Sequence, residues 1–182
     1  YINIHSNWSN GWWRVPGAFN DVAHKNGVMT GCTYFIDWGA GVNQMEEPGK
    51  TLFELSAPGT NDKGDKYKYS RKLIEFLRDY GIDGLCLNPE GYWGYTVYSR
   101  FIPSLAECHK IADELGHPFH VDWYAFVSNT GALSDNGCKL NSSNQNWFHH
   151  KQTNQPVTDM FFLNYNWSDA GLSESVETAK AL

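Results

Sequence analysis

Short apolar runs alternate along this chain with stretches in which apolar residues recur every three to four positions, the pattern of β/α units around a parallel sheet. Tyr1–His5 reads as a first strand. Phe19–Asn26 predicts a helix closed by Gly27, and Val28–Ile36, rich in Thr, Tyr and Phe, predicts the strand after it. Asp37–Lys68 is broken by Gly39, Gly41, Pro48, Gly49, Pro58, Gly59 and Gly64 into a long loop of the kind that usually carries function or moves. Ser70–Tyr80 sets Leu73, Ile74, Phe76 and Leu77 on a helix that stops at Gly81, and the strand Ile82–Asn88 follows. Phe101–Leu115 places Ile102, Leu105, Ile111 and Ala112 on one helical face; Gly116 and Pro118 end it, and Phe119–Phe126 extends as a strand. Ser128–Gln155 is a polar loop rich in Asn and Ser, Val157–Tyr165 a last strand, and Ser173–Leu182 a helix still uncapped at the final residue.

Five strands with four to five helices make about five β/α units, an α/β fold. A closed barrel of eight units takes ~250 residues, so 182 residues read as a single domain, 1–182, forming part of a TIM-type (β/α)8 barrel. A small open doubly wound sheet is the alternative. Hydrophobic residues at 41% against 19% charged can fill a core, which excludes wholesale disorder. No apolar run approaches the ~18–20 residues of a membrane span. The net charge of -6, with basic residues forming no stripe, argues against nucleic acid as a partner. The eight Trp exceed what a core of this size needs, and flat apolar rings suit the faces of sugars.

The most informative stretch is Tyr80-Gly-Ile-Asp-Gly-Leu-Cys-Leu-Asn-Pro-Glu-Gly-Tyr-Trp93. Side chains two apart on a strand share a face, so Asn88 and Glu90 point together while Leu85 and Leu87 turn to the helices, and Pro89 keeps Asn88 extended. In a β/α barrel the C-terminal edge of the strands is where catalytic groups sit. A carboxylic acid beside a carboxamide suits a sugar bearing a 2-acetamido group: Glu90 can protonate the glycosidic oxygen while Asn88 holds the acetamido group for attack on the anomeric carbon. A plain Asn-Pro turn with a solvated Glu90 is the competing reading. Tyr92, Trp93, Tyr95 and Tyr98, four aromatics just after the acid, are more than a turn requires.

Ala23-His-Lys-Asn-Gly-Val28, the stretch ending Asn88-Pro-Glu90, Asp122-Trp-Tyr124 and Phe161-Phe-Leu-Asn164-Tyr165-Asn-Trp167 resemble, in order and spacing over nearly the whole chain, the motifs of glycoside hydrolase family 85. The resemblance implies a β/α barrel with endo-β-N-acetylglucosaminidase activity, and that the barrel's first and last strands are the ones this chain does not include. Such an enzyme cuts the chitobiose core of an N-glycan or glycoprotein carbohydrate through an oxazolinium intermediate, with retention and often with transfer to an acceptor. Carried over by motif, Glu90 is the general acid/base, Asn88 orients the acetamido group, Tyr124 lies beside the acid and Trp167 lines the sugar site; no cofactor is implied. Trp93, Tyr92, Trp38, Asn164 and Asp122 complete the candidate substrate-binding set. Two departures stand out: Ala125-Phe126 replaces an Asp and a small residue after the Trp-Tyr pair, and Asp135-Asn136 replaces a Trp-Gln/Asn pair, removing one expected sugar platform. Family 18 chitinases need a D-x-x-D-x-D-x-E strand, and Cys86 and Asn88 break that pattern.

Asp122 shares a strand face with His120 and Tyr124, so it is also a candidate second carboxylate for a two-carboxylate retaining glycosidase, or else bonds its neighbours. A carbohydrate-binding barrel with an idle acid is a further alternative. Asp37 and Trp38 either reach the pocket or cap and pack the loop. His117, His120, His149 and His150 lack a third ligand at metal spacing and read as surface or loop residues. Cys32, Cys86, Cys108 and Cys138 have neither zinc nor redox spacing and read as buried free thiols. The sequons at Asn7, Asn141 and Asn166 do not fix a compartment.

Overall fold

The computed structural model describes residues 2–7, 15–36, 54–91 and 94–182. Their order is β1 (Ile4–Asn7), α1 (Gly17–Lys25), β2 (Met29–Ile36), α2 (Ser70–Asp79), β3 (Gly84–Pro89), α3 (Gly94–Leu115), β4 (His120–Tyr124), a hairpin of β5 (His149–His150) and β6 (Gln155–Pro156), β7 (Met160–Phe162) and α4 (Asp169–Lys180). One mechanism sets the spacing of the first units. Each of α1, α2 and α3 ends at a glycine with φ between +63° and +69°, at Gly27, Gly81 and Gly116. The next N–H then reaches back to satisfy a carbonyl of the last turn, Val28 to Ala23, Ile82 to Leu77 and His117 to Ala112, at 2.8–3.0 Å. A side chain with Cβ disfavours that left-handed turn, so the glycine ends the helix and launches the strand.

The main sheet has the order β1-β2-β3-β4-β7 and every pair is parallel. Strands that follow one another in space as in sequence have no point where the order reverses, which is barrel topology and excludes the doubly wound alternative. Curling confirms it. Three strand spacings separate β1 from β4, about 14 Å in a flat sheet, yet Ser6 Oγ lies 3.0 Å from Asp122 Oδ2. The outer face carries Cys32, Tyr34, Leu85, Leu87, Val121 and Trp123, all buried in one cluster with Leu73, Ile74 and Leu77 of α2 and Ile102, Leu105 and Ile111 of α3. The inner face is the lumen of a half-barrel.

Several boundaries differ from expectation for physical reasons. β1 lies at Ile4–Asn7 rather than Tyr1–His5, because pairing with Met29–Cys32 fixes it there. α3 begins at Gly94 rather than Phe101 and passes through Pro103; a proline forfeits one helical hydrogen bond, and burial of Phe101, Ile102, Leu105 and Ala106 offsets that loss. The polar loop after Ser128 holds two short 3-10 turns and the β5–β6 hairpin. β7 is shorter than Val157–Tyr165, since Val157 N–H turns away to the Phe148 carbonyl. α4 starts at Asp169, where Ser168 Oγ accepts from Gly171 N–H at 3.1 Å, and closes at Lys180 instead of running on uncapped. The rest of the expected long loop, residues 37–53, lies outside the described residues. No helix among the described residues is long and apolar enough to cross a membrane.

Gly84 is required by close approach. A Cβ there would sit 2.3 Å from the His120 carbonyl oxygen and 2.6 Å from its ring. Gly84→Ala is therefore expected to destabilise the fold by ~1–3 kcal/mol through overpacking, read as a lowered Tm in a thermal melt; an unchanged Tm would contradict this packing.

Candidate active site

β3 builds the centre of the site. Its alternation sends Leu85 and Leu87 into the outer core and Asn88 to the lumen, as the sequence predicts, and Cys86 joins Asn88 on the lumen face. Asn88 is buried, and its Nδ2 donates to Glu90 Oε1 at 3.1 Å just past the strand's end. Donation through Nδ2 leaves the carboxamide oxygen as the acceptor end of the Asn88 side chain. Pro89 continues the pairing of β3 with β2 opposite Ile36, which keeps the segment extended up to the acid.

Tyr124 ends β4 on the same face. Burial, and next the charge of Glu90, push its phenol up to about 12, so it stays protonated and can donate a hydrogen bond at neutral pH. Its ring stacks on Phe126 with centroids 5.7 Å apart and meets Phe162 at 5.6 Å and Tyr165 at 6.5 Å. Below this rim a cavity of about 450 Å³ opens into the lumen, lined by residues that include Ser6, Cys86, Asn88, Asp122, Tyr124 and Phe162. Its wall is largely apolar with a few polar groups converging on it, the make-up of a small-molecule site. Cys86 is held as a neutral thiol, pushed up to about 11 chiefly by burial, so it serves as wall rather than nucleophile.

The structure thus brings Glu90, Asn88 and Tyr124 together, with Asp122 lower in the same cavity. Asn164 is buried, but its Oδ1 accepts from the Tyr165 N–H at 2.6 Å, and neither it nor Trp167 is among the residues lining the cavity. Trp167 is 52% exposed in the segment after β7. Trp38, Tyr92 and Trp93 lie outside the described residues, as do Asp37 and the side chains of Tyr95 and Tyr98. Sequence reading gave no role to Phe162 and Tyr165, although the motif Phe161–Trp167 contains both; the pairing of Tyr124 with Phe162 is the signal that sets Phe162 on the lumen face.

His120 is corrected from surface to lumen: it is 3% exposed and packs over Gly84. The other histidines have local duties, His117 Nε2 at 3.0 Å from the Ile82 carbonyl and His150 Nδ1 at 2.9 Å from Thr153 Oγ1. No group of three His, Cys, Asp or Glu placed to hold a metal ion occurs among the described residues. None of the four cysteines is in a disulfide; Cys32, Cys108 and Cys138 are buried and Cys86 half-buried.

Comparison with known proteins bears on the family and the fold. The family model for glycosyl hydrolase family 85 matches residues 1–182. The cytosolic endo-beta-N-acetylglucosaminidase of Danio rerio is 27% identical over 173 residues, covering 94% of this chain and 22% of the relative. The protein of the same name from Gallus gallus is 26% identical over 170 residues, covering 90% of this chain and 20% of the relative. The chain therefore spans about a fifth of the length of these curated relatives. Among solved structures, the glycoside hydrolase domain of Spr0440, Endo-D from Streptococcus pneumoniae R6, superposes with a TM-score of 0.73 at 17% identity, over 99% of this chain and 32% of that one. At that identity the likeness speaks for the fold, and it agrees with the curled sheet and its sequential strand order.

Proposed function

Because this chain belongs to glycosyl hydrolase family 85, we propose that its half-barrel carries the catalytic centre of an endo-β-N-acetylglucosaminidase acting on the chitobiose core of N-glycans. The observation that carries the reading is the Asn88–Glu90 pair, hydrogen-bonded at 3.1 Å on the rim of an aromatic-walled cavity. Glu90 gives its proton to the glycosidic oxygen as the bond to the anomeric carbon breaks, and the leaving sugar departs as an alcohol. The acetamido oxygen of the same N-acetylglucosamine bonds to the anomeric carbon, forming an oxazolinium. Asn88 aligns that attack by accepting the acetamide N–H on its Oδ1, and the alignment replaces a bimolecular step by an intramolecular one.

Glu90, now a carboxylate, takes a proton from an incoming water as its oxygen bonds to the anomeric carbon and the oxazolinium ring opens. Two inversions leave the configuration retained. A sugar hydroxyl in place of water gives transfer instead of hydrolysis. Tyr124 donates its phenolic proton toward oxygens of the reacting sugar, and the rings around it supply an apolar wall for the sugar face.

Incubation of a high-mannose glycopeptide with the full-length protein tests the reading by mass spectrometry. The expected products are the free glycan ending in one N-acetylglucosamine and the peptide retaining the other. Recovery of intact glycopeptide bound to folded protein would instead make this a carbohydrate-binding barrel.

A further inference from the structure

Beneath the rim, the lumen holds a polar cluster that the scheme above does not use. β4 turns His120, Asp122 and Tyr124 inward, and a rise of ~3.3 Å per residue sets Asp122 about 7 Å below Tyr124. Asp122 Oδ2 accepts from Ser6 Oγ at 3.0 Å, while its Oδ1 is buried with no hydrogen-bond partner among the described residues. His120 is 3% exposed; both its ring nitrogens lack a hydrogen-bond partner among the same residues, and its Nε2 stands 4.0 Å from Asp122 Oδ2. Gly31 and Gly84 make room for this ring, since a Cβ on either would lie within 3.2 Å of it. Buried polar groups are normally paired; the Asp122 side chain keeps 16% of its surface exposed on a cavity it shares with Asn88 and Tyr124, so a positive charge that enters that cavity comes up against its carboxylate.

The reaction supplies such a charge. When the acetamido oxygen bonds to the anomeric carbon, the acetamide C–N unit becomes cationic. Asn88 is neutral and aligns the group without balancing it, and Glu90 stands at the leaving-group side on the rim. Building on the substrate-assisted reading, we propose that Asp122 is the charge-balancing residue of the oxazolinium, placed on the floor of the cavity and held there by Ser6. Fixed charge aimed at where charge develops is the strongest device available in a water-poor site.

Asp122 must be ionised to act. Burial raises its carboxyl above the ordinary range, while His120 and the Ser6 hydrogen bond pull it down and Asp159 raises it further. Of the other groups around it, His120 is pushed toward its neutral form by burial and Cys86 stays a thiol. Hydrolysis is thus lost as pH falls through the raised Asp122 value, giving an acid limb above the usual carboxylate range.

The test uses the full-length protein and a high-mannose glycopeptide. Asp122→Asn is expected to lower kcat ~10²-fold with KM held within a few-fold, and to abolish the acid limb. Ser6→Ala, a milder change should Asp122→Asn fold poorly, is expected to move that limb to higher pH, because the lost hydrogen bond favoured the charged carboxylate. Wild-type kcat and pH profiles in both variants would overturn this inference and leave the proposed function standing. A covalent ester of a 2-deoxy-2-fluoro sugar on Asp122 would make it a nucleophile and overturn both. A wild type that neither hydrolyses glycopeptide nor uses a sugar oxazoline would also overturn both.

Discussion

Glu90→Gln is expected to lower hydrolysis of an unactivated N-glycan at least ~10²-fold, the lower bound of what a positioned general acid supplies. Gln is nearly isosteric with Glu and keeps a side-chain oxygen that can accept the Asn88 Nδ2–H now given to Glu90 Oε1. The substitution therefore leaves the rim geometry in place and removes only the proton. On the proposed reading the loss belongs in kcat, because the sugar is held by the aromatic wall of Tyr124 and Phe162 and the acid acts in the transition state. A glycoside with a good leaving group needs less protonation, so the deficit shrinks on such a substrate for the first step. It is expected to persist in the second, where the proposed scheme makes Glu90 the base that activates water. Steady-state kinetics on the glycopeptide and on an aryl glycoside separate the two steps, and near-normal turnover of the glycopeptide by folded Glu90→Gln protein would remove Glu90 from the role.

The parts of this molecule legible in the sequence are those fixed by local rules. Gly27, Gly81 and Gly116 announce helix ends because only a left-handed turn lets the backbone close each helix there, and β2 and β3 follow at once. Leu85 and Leu87 outward with Asn88 inward follows from the pleat, so the face and edge on which the acid pair sits could be read directly. The pleat also grouped His120, Asp122 and Tyr124. What it could not say is that their shared face is an enclosed lumen, because the glycines that admit His120 belong to other strands. Position in space, not local pattern, moved His120 from surface to interior. Pro103 hid the start of α3, since tertiary burial outweighed a proline that local rules treat as a stop. The edge strands were misplaced at their ends, β1 being fixed by its partner and β7 cut short by the turn of Val157 toward Phe148. Ser6 carried no sequence signal, as its partner Asp122 lies 116 positions away.

The central claim is that the substrate's own acetamido group is the nucleophile and that Asn88 serves it by orientation. If so, Asn88 matters only until that group has cyclised. Its carboxamide is buried and its Nδ2 is already engaged with Glu90, which leaves Oδ1 to align the acetamide N–H. Removing it forfeits the near-attack geometry, and misplacement on this scale can cost ~10²-fold or more. A sugar oxazoline enters with that bond already made, and Glu90 can still activate the acceptor as general base. A two-carboxylate enzyme with Asp122 as nucleophile has no special use for an oxazoline, and a binding barrel uses neither donor. The deciding measurement is mass spectrometry of folded full-length Asn88→Ala protein, first with the natural glycopeptide and then with oxazoline plus an N-acetylglucosamine acceptor. The account predicts almost no hydrolysis of the first and continued transfer product from the second, with Glu90→Ala silent in both; no transfer by Asn88→Ala under conditions where wild type makes product would contradict it.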